Sequence, residues 1–151
     1  MQLSSPAFKE NGRIPKLYTC EGKEFSPPLQ IDHVPSDAKS LALIMDDPDV
    51  PKSLRADGMW DHWILFNILP TVRTIEENKA PLCKFGMTTS NRLEYVGPCP
   101  PDREHRYFFK LYALDTMLKL PSGVTKSQLE KEMKGHILAE CRLMGRYVKG
   151  Q

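Results

Sequence analysis

Asp47, His62, His105 and Tyr107 are the side chains of this chain best suited to chemistry. A carboxylate can orient an imidazole, an imidazole changes charge near neutral pH, and a phenol donates a hydrogen bond. Brought together, such groups can hold a phosphate or act as acid and base on a phosphate ester or acyl substrate. They are widely separated in sequence, so everything depends on whether the backbone delivers them to one place.

The elements that must do so are strands. Leu41–Asp46 (LALIMD), His62–Leu69 (HWILFNIL) and Arg106–Leu114 (RYFFKLYAL) are short apolar or aromatic runs bounded by proline, glycine or charge, and Gln30–Val34 is a weaker fourth. Side chains two apart on a strand share a face. Leu41, Leu43, Met45 and Asp47 then form an apolar row ending in a carboxylate. Trp60, His62, Ile64, Phe66 and Ile68 form a row with an imidazole near its start, and His105, Tyr107, Phe109 and Leu111 repeat the arrangement. Where these polar ends meet, they make a pocket at one edge of the sheet. The same alternation sends Trp60 and Trp63 to opposite faces, one into the core and the other beside the pocket or an interface.

The late segment reads as a helix. Thr125 with Gln128 forms a capping box, and Leu129, Met133, Ile137 and Cys141 recur every four residues as an apolar stripe. On this reading the helix passes through Gly135 and ends at Gly145. Several strands before one late helix predict a mainly β, antiparallel domain with a helix packed on one side. The length of 151 residues suits one domain, 1–151.

Composition removes several function classes. Lys and Arg number 21 against 19 Asp and Glu, so no basic field points to nucleic acid. Thirteen prolines argue against a helical bundle and for short elements joined by structured loops. The longest uncharged apolar stretch, Trp63 to Val72, contains Asn67 and Pro70 and is too short for a membrane span. The first residues lack the apolar run of a secretory signal. Cys20, Cys83, Cys99 and Cys141 are scattered without a C-x-x-C pair, so structural zinc is not expected and the thiols are read as reduced, in a cytoplasm. Cys99 is then either a reactive thiol or inert packing. No phosphate loop, dinucleotide turn or nucleophile elbow occurs. Ser36 and Lys39 match S-x-x-K by chance, in a polar turn. His62, His105, Asp47, Asp49 and Asp61 offer metal-ligand chemistry, but without a metal-binding spacing, so neither a metal nor a cofactor is expected.

Two segments carry more than periodicity: Asp47-Pro48-Asp49-Val50-Pro51 followed by Trp60-Asp61-His62-Trp63, and Tyr95-Val96-Gly97-Pro98-Cys99-Pro100-Pro101 followed by His105-Arg106-Tyr107. Together they resemble the two signature regions of the phosphatidylethanolamine-binding protein family. The likeness is to its short bacterial and archaeal branch, often called Raf-kinase-inhibitor-like proteins. Ile14 to Gly22, Ser26 to Leu29 and His136 to Tyr147 extend it over nearly the whole chain.

The resemblance implies a Greek-key β-sandwich of antiparallel sheets with a C-terminal α-helix and a small anion-binding pocket at one end. Family pocket positions fall on Asp47, His62, Pro98, His105 and Tyr107, with Asp49, Trp60, Gly97 and Cys99 in support. No catalytic residue is assigned. The implied ligand is a phosphorylated small molecule or phospholipid head group, with a regulatory output, and members of the branch are often homodimers. The alternatives are a small hydrolase, or a modulator of a protein partner such as a kinase or protease, using the same pocket. Three departures stand out. Asp57 replaces a tyrosine of the larger eukaryotic members, Asp102-Arg103-Glu104 stands where the branch usually has glycine, and Glu24-Phe25 and Ile31-Asp32 replace an early Asn and a Trp.

A phosphate in such a pocket needs donors. Tyr107, protonated His62 or His105, and inward-turned amides of the Gly97-Pro98-Cys99 loop are the candidates, with Asp47 orienting a histidine or meeting a cationic group of the ligand. Binding is therefore expected to strengthen as pH falls through about 6.5.

Overall fold

The three apolar runs read as strands from the sequence become three of the four long strands. In the computed structural model, which describes residues 1–150, the chain runs β1 (Gln2–Ser4), β2 (Gly12–Arg13), a 3-10 turn (Lys16–Tyr18), β3 (Leu29–Asp32), β4 (Ser40–Asp47), β5 (Trp60–Ile68), β6 (Thr74–Ile75), β7 (Lys84–Phe85), β8 (His105–Leu114), α1 (Lys126–Met133) and β9 (Ile137–Tyr147). A six-stranded sheet has the order β2-β9-β8-β4-β5-β7 and a three-stranded sheet the order β1-β3-β6. After β7 the chain crosses back to lay β8 beside β4, a Greek-key connection. The β4–β5, β4–β8 and β8–β9 pairs are antiparallel, while the short β2 joins β9 in parallel.

The large sheet is covered on both faces. Between the sheets, Leu41, Leu43, Met45, Trp63, Leu65, Tyr107, Phe109 and Leu111 pack with Leu29, Ile31 and Ile75 of the small sheet. On the other face, Ala42, Ile44, Ile64, Phe66 and Leu114 pack with Leu129 and Met133 of α1. Strands buried on both faces read as continuous apolar runs, which is why β4 is buried throughout.

The predicted alternation holds along β4 and β8 but breaks along β5. Met45 pairs with Trp63 and Asp46 with Asp61, leaving His62 as an extra residue in a β-bulge. A second irregularity lies between the pairs Leu41–Ile68 and Leu43–Leu65, where Asn67 has φ 55°. His62 and Trp63 consequently share the inter-sheet side, whereas Ile64 and Phe66 turn to the helix. The bulge thus aims His62 at the pocket while Trp63 keeps its place in the core.

The helix is real but shorter than its apolar stripe. Both hydrogen bonds of the Thr125–Gln128 capping box form, and the helix stops at Met133. Gly135, with φ 85°, turns the chain out, and residues 137–147 become the longest strand. Leu129 and Met133 face the sheet, Ile137 is exposed, and Cys141 packs against the other core. Spacing of four fits a helix, yet the edge of β8 offers ten residues for pairing, and the ladder wins.

The reduced-thiol expectation is also corrected. Cys20 and Cys99, 79 residues apart, form a disulfide, while Cys83 and Cys141 are free. The fold brings the pair together because Cys20 N–H donates to Pro98 O, laying the segment after the 3-10 turn along the 95–99 loop.

Gly135 separates the two readings of this segment by sign. Inside a helix, Gly135→Ala would stabilise by roughly 0.5–1 kcal/mol. In the left-handed conformation it is expected to destabilise by about 1–2 kcal/mol, read as a lower urea midpoint at unchanged slope.

Candidate functional site

The end of β4, the bulge of β5 and the start of β8 deliver Asp47, His62, His105 and Tyr107 to one cavity of about 270 Å³. Trp60, Ser90, Gly97 and Cys99 complete its polar and sulfur-bearing wall, and Val50, Leu54, Val96, Pro100 and Pro101 its apolar one. A second hollow of about 430 Å³, lined by Glu24, Trp63, Arg92 and Tyr95 among others, contains none of the four.

His105 is fully buried and held from both sides. Its Nδ1 lies 2.6 Å from Asp47 Oδ2 and its Nε2 2.7 Å from Asp102 Oδ1. Only a ring carrying both protons donates to both carboxylates. The other oxygen of Asp47 accepts the backbone N–H of Asp49 at 2.8 Å. Asp47 is therefore occupied in orienting His105 and shaping the turn, and neither oxygen lacks a partner.

Tyr107 stacks on His105, with ring centroids 6.4 Å apart, and meets His62 edge-on at 5.3 Å. Its hydroxyl is buried and has no partner among the described residues. Burial, followed by the nearby Asp47 charge, pushes the phenol far above its ordinary range, so it stays a donor. His62 faces Val96 O through Nδ1 at 2.7 Å. A carbonyl only accepts, so Nδ1 carries the proton, and Nε2 of the neutral ring is an acceptor. Burial lowers the His62 pKa below the ordinary 6.5, against the opposing pull of the Val96 carbonyl and of Asp47 and Asp46. Any gain in anion binding from protonating His62 therefore begins below pH 6.5.

The remaining candidates divide. Trp60 lines the cavity and its indole N–H donates to Ser90 Oγ at 3.2 Å. Gly97 lines it too, but its N–H donates outward to Glu24 Oε2 at 3.0 Å, so this amide is not an inward donor. A Cβ there would meet Tyr18 O at 2.7 Å, which explains the glycine. Pro98 is not a lining residue; its carbonyl accepts from Cys20, and Pro100 and Pro101 form the wall. Cys99 lines the cavity as half of the disulfide rather than as a thiol. Asp49 sits outside the lining and accepts Arg106 N–H, Nε–H and Nη2–H at 2.8, 2.9 and 2.8 Å, tying the turn after β4 to β8. Its side-chain bonds to Arg106 hold its carboxyl below the usual range. Asp57 is exposed, accepts Met59 N–H and lies outside the lining.

Sequence reasoning missed three contributors. Asp102 is three residues from His105, but an extended chain would aim it elsewhere, and only the bend over 101–103 carries it onto the imidazole. Glu24 meets Gly97 across 73 residues, a contact with no local signal. The apolar wall was hidden because Val50, Leu54, Pro100 and Pro101 lie in loops. No group of three or more His, Cys, Asp or Glu residues suited to a metal ion occurs among the described residues.

A family model described as phosphatidylethanolamine-binding protein matches residues 4–148. A UPF0098 protein of Chlamydia muridarum is 50% identical over 147 residues, 97% of this chain and 98% of the relative. One from Methanothermobacter thermautotrophicus is 47% identical over 156 residues, covering 99% and 100%. Among solved structures, CT736 of Chlamydia trachomatis, described as a phosphatidylethanolamine-binding protein homolog, superimposes with TM-score 0.96 at 49% identity, covering 99% of this chain and 97% of that one. Escherichia coli YbcL, described as a member of the mammalian family of this type, gives TM-score 0.88 at 26% identity over 99% and 98%.

His62 makes stability depend on pH. Its folded pKa is depressed, so the unfolded chain binds more protons below pH 6.5, and stability present above that value is lost as pH falls toward the folded pKa. Urea unfolding at pH 7.5 and 5.5 is expected to show this loss in the wild type and a smaller one in His62→Gln.

Proposed function

The chain belongs to the phosphatidylethanolamine-binding protein family, and from that premise we propose that its pocket binds the phosphoryl group of a small molecule or phospholipid head group. The observation that carries this reading is the Tyr107 hydroxyl, a buried donor at the cavity wall that makes no hydrogen bond among the described residues. A buried donor left unsatisfied costs about 1–3 kcal/mol, and a ligand oxygen recovers that cost. Beside it, neutral His62 offers an acceptor. A singly protonated phosphate has both an oxygen to accept from Tyr107 and a P–OH to donate to Nε2. On acidification His62 becomes a second donor, now charged.

The apolar wall of Val50, Leu54, Pro100 and Pro101 suits the non-phosphate part of an amphiphile. Leu54, 60% exposed at the same cavity, also favours a second reading, in which a protein partner covers the mouth and the bound ligand modulates that contact. A kinase or protease partner and a homodimer are versions of this reading. The hydrolytic alternative is weaker, because the one sulfur in the pocket is bonded to Cys20. We take residues 1–151 to act as one domain. The Cys20–Cys99 bridge fits an oxidising compartment better than a cytoplasm.

Thermal-shift titration with inorganic phosphate and phosphoethanolamine tests the proposal. Both are expected to stabilise the wild type, with Tyr107→Phe weakening affinity about tenfold or more, the worth of a hydrogen bond to a charged group. Without ligand, Tyr107→Phe is expected to melt at an equal or higher temperature, since it removes an unpartnered buried hydroxyl. An undiminished response in the variant, or none in the wild type, contradicts the proposal.

A further inference from the structure

We infer that Asp102 is an internal competitor for the pocket's ligand, its carboxylate occupying the His105 nitrogen that a phosphoryl oxygen would otherwise take. This rests on the phosphoryl reading of the pocket given above.

Orienting an imidazole takes one carboxylate, and Asp47 supplies it from a site only 4% exposed at the side chain. The second carboxylate, on the opposite nitrogen, comes from a side chain that is 40% exposed on the loop before β8. His105 lines the cavity, yet with Asp102 in place both its nitrogens are taken. Asp102 itself lies outside the cavity lining and takes the Nε2 donor of His105 from the loop side.

The contact is also built to release. Besides His105, the Asp102 side chain meets only Arg103 among the described residues, its exposed side chain at 3.7 Å and its backbone N–H. Its neighbours pin the loop independently, Arg103 through Asp49 O at 3.3 Å and Glu104 through Arg146 at 2.9 Å. Asp102 can therefore swing into water by side-chain rotation while the loop stays anchored. A carboxylate oxygen and a phosphoryl oxygen are equivalent acceptors for an imidazole N–H, so the ligand exchanges one charge-assisted hydrogen bond for another and Asp102 recovers its hydration. Such an exchange favours strongly anionic ligands over neutral or weakly polar ones, which cannot compensate the lost ion pair. Asp102 is in this sense a specificity-determining residue.

Calorimetric titration of inorganic phosphate into the wild type, Asp102→Ala and Glu104→Ala tests the inference. Glu104 is the control: same loop and same charge, but paired with Arg146 rather than His105. Asp102→Ala is expected to bind phosphate about tenfold or more tightly, from the worth of one charge-assisted bond, and Glu104→Ala about as the wild type does. Equal gains in both variants would reduce the effect to net charge and overturn the inference, as would no gain in Asp102→Ala. A second measurement needs no ligand: a slowly exchanging His105 Nε2–H in the NMR spectrum of the wild type, lost in Asp102→Ala. Failure of all three proteins to bind phosphate overturns the reading of the pocket, whereas an Nε2–H signal unchanged by Asp102→Ala overturns the role of Asp102 itself.

Discussion

A buried carboxylate is tolerated only when its charge has partners, and Asp47, 3% exposed, has one on each oxygen. One contact joins the end of β4 to the first residue of β8, and the other shapes the turn that carries Asp49 back to Arg106. The rest of the pocket is stacked on this pair. His105 is oriented by Asp47, Tyr107 lies against His105, and His62 meets the far side of Tyr107 edge-on. The Tyr107 hydroxyl lies near the Asp47 charge but makes no hydrogen bond of normal geometry among the described residues.

The neighbouring Asp46 is partnered differently on the opposite face of the sheet: two lysines meet its Oδ2, and its Oδ1 is buried without a hydrogen bond among the described residues. It is 1% exposed and lies 3.0 Å from Lys110 and 3.1 Å from Lys126, the first residue of α1. Lys126 also lies 2.8 Å from Asp61, next to the bulge that positions His62. Two consecutive aspartates therefore send one charge into the pocket and one into the joint between helix and sheet. Removing His105 would leave the buried Asp47 charge uncompensated, a cost of about 3–5 kcal/mol, whereas Asp46 keeps one lysine when the other is removed. The helix is in this way anchored to the strand ends that carry the site.

Much of this was legible in the sequence because strand alternation is local. The apolar rows ending in Asp47 and beginning at His105 were readable from spacing alone, as was the capping box of α1. The motifs around Asp47-Pro48-Asp49 and His105-Arg106-Tyr107 pointed to the family. What failed depended on distant partners or on one extra residue. The bulge at His62 follows from pairing with β4, so Ile64 and Phe66 were placed on the wrong face. Residues 137–147 kept a helical spacing but paired with β8. Cys20 and Cys99 found each other across 79 residues, and Gly97 gave its amide to a glutamate that no motif contains.

The central claim is that the pocket offers a neutral His62 acceptor beside a free Tyr107 donor, with Asp47 and His105 as the frame. Long-range proton–nitrogen NMR of the histidine rings at pH 7.5, followed through a phosphate titration, tests it most directly. His62 is expected to carry its proton on Nδ1, and its Nε2 resonance to move as phosphate is added. A proton on Nε2 instead, or a His62 ring that stays still while the exposed His33 or His136 responds, would contradict it.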